Sequence, residues 1–205
     1  MILEYLNSHV DVIINDELGN ALLGSIPVEV VVNGTSILNT TIVDGVLKDT
    51  IPTENLPAGE YSVEFNIQPD EFGIYNEKIL TSKLNIIKRD AILTVEADTT
   101  KVLNTLAINV TLNDENMTIN SWNVVFKINN KVVRDENGNP IKVHVKDNKA
   151  QLNYTLPQEI GQGQYNITAV YESNNYNKVE NTTQCNIEGL DIEVKDMEMT
   201  IKAKT

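Results

Sequence analysis

Seven Asn-X-Thr triplets, beginning at Asn33, Asn39, Asn109, Asn116, Asn153, Asn166 and Asn181, are the residues whose type and spacing point to a definite chemistry. The pattern is the acceptor for N-linked glycan in an exported protein. Asn also supplies turns and Thr suits strands, so a chain rich in both produces such triplets without any glycan. Asn33 already has a second explanation, because Asn33-Gly34 is a hairpin signal.

The other constellations are thinner. Asp135-Glu136-Asn137-Gly138-Asn139 sets oxygen donors at alternate positions, as half of a calcium loop does, but the distal bidentate Glu of an EF-hand is missing. A solvated hairpin is the better reading. His9 and His144 are the only histidines and fall in different halves of the chain, so neither a triad nor a two-histidine metal site assembles. With no Gly-rich phosphate loop or nucleophile elbow either, no catalytic, metal or cofactor residue is expected. Phe72, Tyr75 and Tyr176 occupy equivalent loops, where they form a ligand-contact surface or close the end of a core. Tyr61, Phe65, Phe126, Tyr165 and Tyr171 are assigned inward, and Trp122 is placed on the face of Val124.

These residues must be carried by strands. Val28, Val30 and Val32 alternate up to Asn33-Gly34, as Val124, Phe126 and Ile128 do up to Asn129-Asn130, and helical periodicity is nowhere sustained. Ile51-Pro52 followed by Gly59-Glu60-Tyr61 recurs as Leu156-Pro157 followed by Gly163-Gln164-Tyr165. In both an apolar residue and Pro end one strand, and Tyr opens the next, its hydroxyl able to bond back to the corner as in immunoglobulin-type sandwiches. Two corners imply two sandwiches. The offset between copies is 96 at the first hairpin and 104 at the tyrosines, which puts about eight extra residues in the second copy, most simply around Arg134 to Pro140.

The expectation is therefore an all-β chain of two tandem immunoglobulin-like β-sandwiches in an elongated arrangement. Residues 1–88 form the first, short of its own first strand, and residues 89–188 the second. Residues 189–205 form a linker and the first strand of a truncated third repeat, since Asp196-Met197-Glu198-Met199-Thr200-Ile201-Lys202-Ala203 matches Asp90-Ala91-Ile92-Leu93-Thr94-Val95-Glu96-Ala97. Only Lys88-Arg89-Asp90 separate the sandwiches, with no flexible spacer. A strand without a domain and a domain without a strand suggest head-to-tail self-association through residues 190–205.

Composition narrows the partners. A net charge of −13 argues against nucleic acid, which demands clustered Lys and Arg. The single cysteine, Cys185, cannot form an internal disulfide. No apolar run approaches the roughly 20 residues that span a bilayer, so any export or anchor signal is expected outside this chain.

From Asp90 to Glu188 the chain resembles the immunoglobulin-like repeats of adhesin-like surface proteins of methanogenic archaea. The resemblance rests on Val124-Val125-Phe126-Lys127-Ile128-Asn129-Asn130-Lys131, Asp135-Glu136-Asn137-Gly138, Tyr154-Thr155-Leu156-Pro157 and Gly163 to Tyr171 followed by Asn175-Tyr176. The first copy is a weaker match, keeping Val32-Asn33-Gly34 and Gly59-Glu60-Tyr61. The resemblance implies a non-catalytic array at the cell surface or cell wall, projecting a binding region toward a protein or glycan of another cell and packed against adjacent repeats. A carbohydrate-binding module appended to a wall-active enzyme is the alternative, and an exposed coplanar pair of aromatics on one sheet would favour it.

Overall fold

The computed structural model describes residues 9–53, 56–115 and 117–193 in full and the backbone of residues 2–4. Asn116, Tyr5 and the repeat-like segment 196–203 lie outside the described residues. The described residues contain strands and turns and no helix. Two compact units result: one comprises Met1–Asp90 with Ser173–Asn177, the other Ala91–Glu172 with Lys178–Thr205.

The first unit contains β1 (Ile2–Glu4), β2 (His9–Ile13), β3 (Ser25–Val32), β4 (Thr35–Val43), β5 (Val46–Thr50), β6 (Gly59–Ile67) and β7 (Lys78–Ile87). They follow the path β1-β7-β6-β3-β4-β5-β2. β4 is the shared strand: it pairs along its length with β3 but with β5 only at Val43 opposite Val46. The path thereby folds into two layers, with Val28, Val30, Val63 and Leu84 from one, Val10 and Leu47 from the other and Ile42 from the shared strand in a single buried cluster. Alternation dictates this, because side chains two apart on a strand share a face.

The second unit contains β8 (Ile92–Ala97), β9 (Thr100–Lys101), β10 (Thr105–Asn113), β11 (Asn123–Ile128), β12 (Lys131–Val132), β13 (Lys142–His144), β14 (Lys149–Thr155), β15 (Gly163–Tyr171) and β16 (Val179–Glu188). One sheet has the order β14-β10-β8, and the other β12-β11-β15-β16-β9 with β13 also on β11. The chain crosses from the first sheet to the second between β8 and β9, and β9 runs parallel to β16. This first strand divided between two sheets, together with the tyrosine corner, makes the fold an immunoglobulin-like β-sandwich. Ile108, Val124, Phe126, Ile167 and Tyr171 are fully buried in it.

Tight hairpins set the register. Asn33-Gly34, Asp44-Gly45, Asn129-Asn130 and Asp147-Asn148 all hold two successive positive φ angles, the geometry whose twist matches that of paired strands. Between Asn129-Asn130 and Asp147-Asn148 the second unit replaces the continuous β4 with β12, a hairpin closed by Arg134 opposite Pro140, and β13.

Candidate functional site

Both tyrosine corners are closed by the hydroxyl. Tyr61 donates to the carbonyl of Pro57 at 2.6 Å and Tyr165 to that of Gly161 at 3.0 Å. Across the sheet Tyr61 stands opposite Leu84 and Tyr165 opposite Cys185, so the thiol occupies the seat of a core leucine. Burial pushes the Cys185 thiol up, away from the reactive thiolate.

The loops bearing Phe72, Tyr75 and Tyr176 are built alike. Buried Asp70 accepts the N–H groups of Phe72 at 3.0 Å and Tyr75 at 2.6 Å, and buried Ser173 accepts those of Asn175 at 3.1 Å and Tyr176 at 2.9 Å through its hydroxyl. The bond from Tyr75 leads those holding the Asp70 carboxyl below its ordinary range. The rings behave differently. Tyr75 packs on the core of the first unit and its hydroxyl accepts the N–H of Leu23, Tyr176 is buried, and Phe72 stands 78% exposed. Of the three, Phe72 alone offers its ring to solvent.

Trp122 departs from the inward placement that alternation gives it. It precedes β11 rather than belonging to it, takes a φ of 65° and is 43% exposed. The hydroxyl of buried Tyr171 reaches the carbonyl of Ser121, and the Trp122 carbonyl accepts the N–H of Val145, so the backbone is tied where the ring turns out. Left-handed backbone at a bulky aromatic costs on the order of 1–3 kcal/mol and marks a position worth attention. Periodicity carries no signal of it, since a single positive φ inverts the face without changing composition.

The acidic loop at Asp135 is a hairpin tied by its own backbone. Asp135 N–H bonds the Asn139 carbonyl, and its carboxylate accepts from Asn137 and Asn139 at 2.9 and 2.8 Å. Asp16-Glu17-Leu18-Gly19-Asn20 makes the same loop in the first unit, with Asp16 accepting from Leu18 and Asn20 at 2.9 and 2.8 Å. Among the described residues no group of three or more His, Cys, Asp or Glu is placed to hold a metal ion.

His9 lies within 3.2 Å of the Thr50 hydroxyl, while His144 lines a shallow groove with Asn109, Thr111, Lys146, Lys149 and Gln151. The Asn-X-Thr side chains fall into distinct environments. Asn39, Asn153 and Asn166 are exposed on strands, and Asn109 is half-buried in that groove. Asn33 caps its hairpin by accepting the Ser62 N–H. The Asn181 amide donates to the Leu93 carbonyl at 2.8 Å, joining β16 to β8 across the two sheets.

No family model matches the chain, and no curated protein matches it. Solved structures do. A tetra-tandem repeat from the extending region of a large adhesion protein aligns with a TM-score of 0.46 at 18% identity, over 82% of this chain and 42% of that one. The Yersinia pseudotuberculosis adhesin InvE aligns at 0.45 and 17%, over 91% and 56%. A titin A168–A169 pair aligns at 0.37 and 12%, over 91% and 93%. The chain thus spans about half the length of the first two.

Proposed function

We propose that the chain is a non-catalytic stalk and adhesive module of an extracellular surface protein. The observation that carries this is the pairing of the outermost strands. In each unit an N-terminal strand runs parallel to the last strand: β1 beside β7, with Leu3 opposite Ile86, and β9 beside β16, with Thr100 opposite Ile187. Tension entering along the first strand and leaving along the last pulls parallel neighbours in opposite directions. Their hydrogen bonds are then loaded together in shear rather than opened one at a time. Two such units joined through the four residues between β7 and β8 give a load-bearing series. The methanogen-type surface array that the second unit resembles is the setting in which this serves adhesion.

The exposed ring of Trp122 supports a second reading, contact with glycan, because a sugar face stacks on an aromatic held outward. Screening the whole chain against immobilised glycans and intact cells tests both. The adhesive reading expects saturable binding without turnover, and the glycan reading expects that binding to fall severalfold in Trp122→Ala while Phe72→Ala leaves it unchanged. Hydrolysis or transfer of any bound glycan would overturn the non-catalytic assignment. Glycans, where the host adds them, belong on Asn39, Asn153 and Asn166, whose side chains are free of the ties that hold Asn33 and Asn181. Mass spectrometry of native material finding these three bare and Asn181 modified would refute that order.

A further inference from the structure

In the second unit β13 and β14 are joined at one end and part at the other, and the groove that holds His144 lies where they part. Around the Asp147-Asn148 turn Lys146 and Lys149 exchange both backbone bonds, each at 2.9 Å. Beyond that pair β13 leaves for the other sheet, where Val143 stands opposite Val124, while β14 stays on β10, with Gln151 opposite Asn109. Bonds along an antiparallel strand alternate between its two sides. Val145 N–H bonds the Trp122 carbonyl toward β11, so His144 directs its backbone groups the other way, and Lys149 bonds toward β13, so Gln151 directs its own there as well. His144 and Gln151 thus face each other with backbone N–H and C=O groups that no strand takes up among the described residues.

The side chains around this gap carry one sign of charge. Asn109, Thr111, His144, Lys146, Lys149 and Gln151 line a groove of about 480 Å³, and no carboxylate is among its lining residues. In a chain of 29 acidic and 16 basic residues such a surface is an exception. Asp147 in the turn and Glu96 across from Asn109 on β8 are the flanking acids, and neither lines the groove. Lys146 and Lys149 stand directly opposite, an arrangement in which like charges destabilise the pairing. Among the described residues neither ammonium is held in an ion pair. A repulsive pair beside a row of amides and a hydroxyl is relieved by an anion from outside.

We propose that this groove binds an acidic glycan, a sugar chain bearing carboxylate or sulfate groups. Its anionic oxygens meet Lys146 and Lys149. Sugar hydroxyls both donate and accept, which matches the Asn109 and Gln151 amides, the Thr111 hydroxyl and the backbone groups of His144 and Gln151. A small inorganic anion leaves the carbonyls among these unmet. An added peptide strand needs an edge open along its length, and here the two strands close on each other at Lys146, two residues from His144. The inference rests on the adhesive reading and deepens it by naming the class of ligand.

The test is isothermal titration of the 205-residue chain, produced without N-linked glycan, with oligogalacturonate, sulfated dextran and neutral dextran. Binding of a carboxylated or sulfated chain above the neutral one is expected, and it should weaken as salt rises. The two acidic arms show which anion the site takes. Lys146→Gln and Lys149→Gln should each weaken binding about twofold to fivefold, and Gln151→Ala should weaken it too, while Lys101→Gln on β9 leaves it unchanged. Taking away one of two facing like charges should leave the melting temperature equal or higher, which separates lost binding from lost fold. Acidic chains bound no better than neutral dextran overturn the proposal. An equal loss in Lys101→Gln overturns it as well, since the attraction would then be diffuse charge, and so does polyglutamate bound as tightly as oligogalacturonate. Binding of intact cells without binding of acidic glycan removes this inference and leaves the adhesive reading standing. Acidic glycan held through these lysines with no cell bound leaves the site standing and removes the adhesive reading.

Discussion

Tyr61 and Tyr165 each join a ring that covers the end of a core to a hydroxyl that satisfies a corner carbonyl. Replacing Tyr165 with Phe keeps the ring and removes the bond, so urea unfolding should show a loss of about 0.5–1.5 kcal/mol. Unchanged stability would mean that the corner is held by the ring alone. The acidic side chains make a second residue-level prediction. Asp16, Glu29, Asp49 and Asp70 all lie in the first unit with carboxyls held below their ordinary range. The foremost causes are the Asn20 N–H for Asp16, the Ser36 hydroxyl for Glu29, the Thr40 hydroxyl for Asp49 and the Tyr75 N–H for Asp70. A depressed folded pKa stabilises the fold above the ordinary carboxylate value of about 4 and ceases to do so as pH falls through the lower folded values. Melting of the first unit, followed by NMR from pH 7 to 2, should therefore fall below about pH 4, and a flat profile would contradict these bonds.

Hairpins show which elements a sequence reveals and which it hides. Val28, Val30 and Val32 before Asn33-Gly34 were legible because alternation and turn chemistry agree there, and the same holds for Phe126 and Ile128 before Asn129-Asn130. The triplets Asn15-Asp16-Glu17 and Asn113-Asp114-Glu115 look alike in sequence yet fold apart. Asp16 opens a loop closed by Asn15 opposite Ala21, and Asp114 pairs with Met117. Loop closure is decided by residues further on, so the matching triplet carried too little information. β1 was hidden for another reason: three residues are too few to show a period, and their place is set by the free edge of β7. Trp122 was misplaced inward because alternation assumes extended backbone throughout. One turn gives a sharp test. Gly45 has a φ of 77°, and an added Cβ would lie 2.9 Å from the Ile14 carbonyl oxygen and 3.0 Å from the Leu22 nitrogen. Gly45→Ala should cost about 1–3 kcal/mol in chemical denaturation, because both the backbone angle and the neighbouring main chain resist it. Gly34→Ala, with open space around it, should cost less.

At the scale of the whole molecule, the proposed stalk role requires each of the two sandwiches to bear tension. The decisive measurement is single-molecule extension of the 205-residue chain held at its two ends. Shear loading of β1 against β7 and of β9 against β16 predicts two separate unfolding events, each releasing about 30 nm of chain at the usual reach per residue. Extension without resolved events, or one merged event, would contradict the claim that each unit resists force on its own.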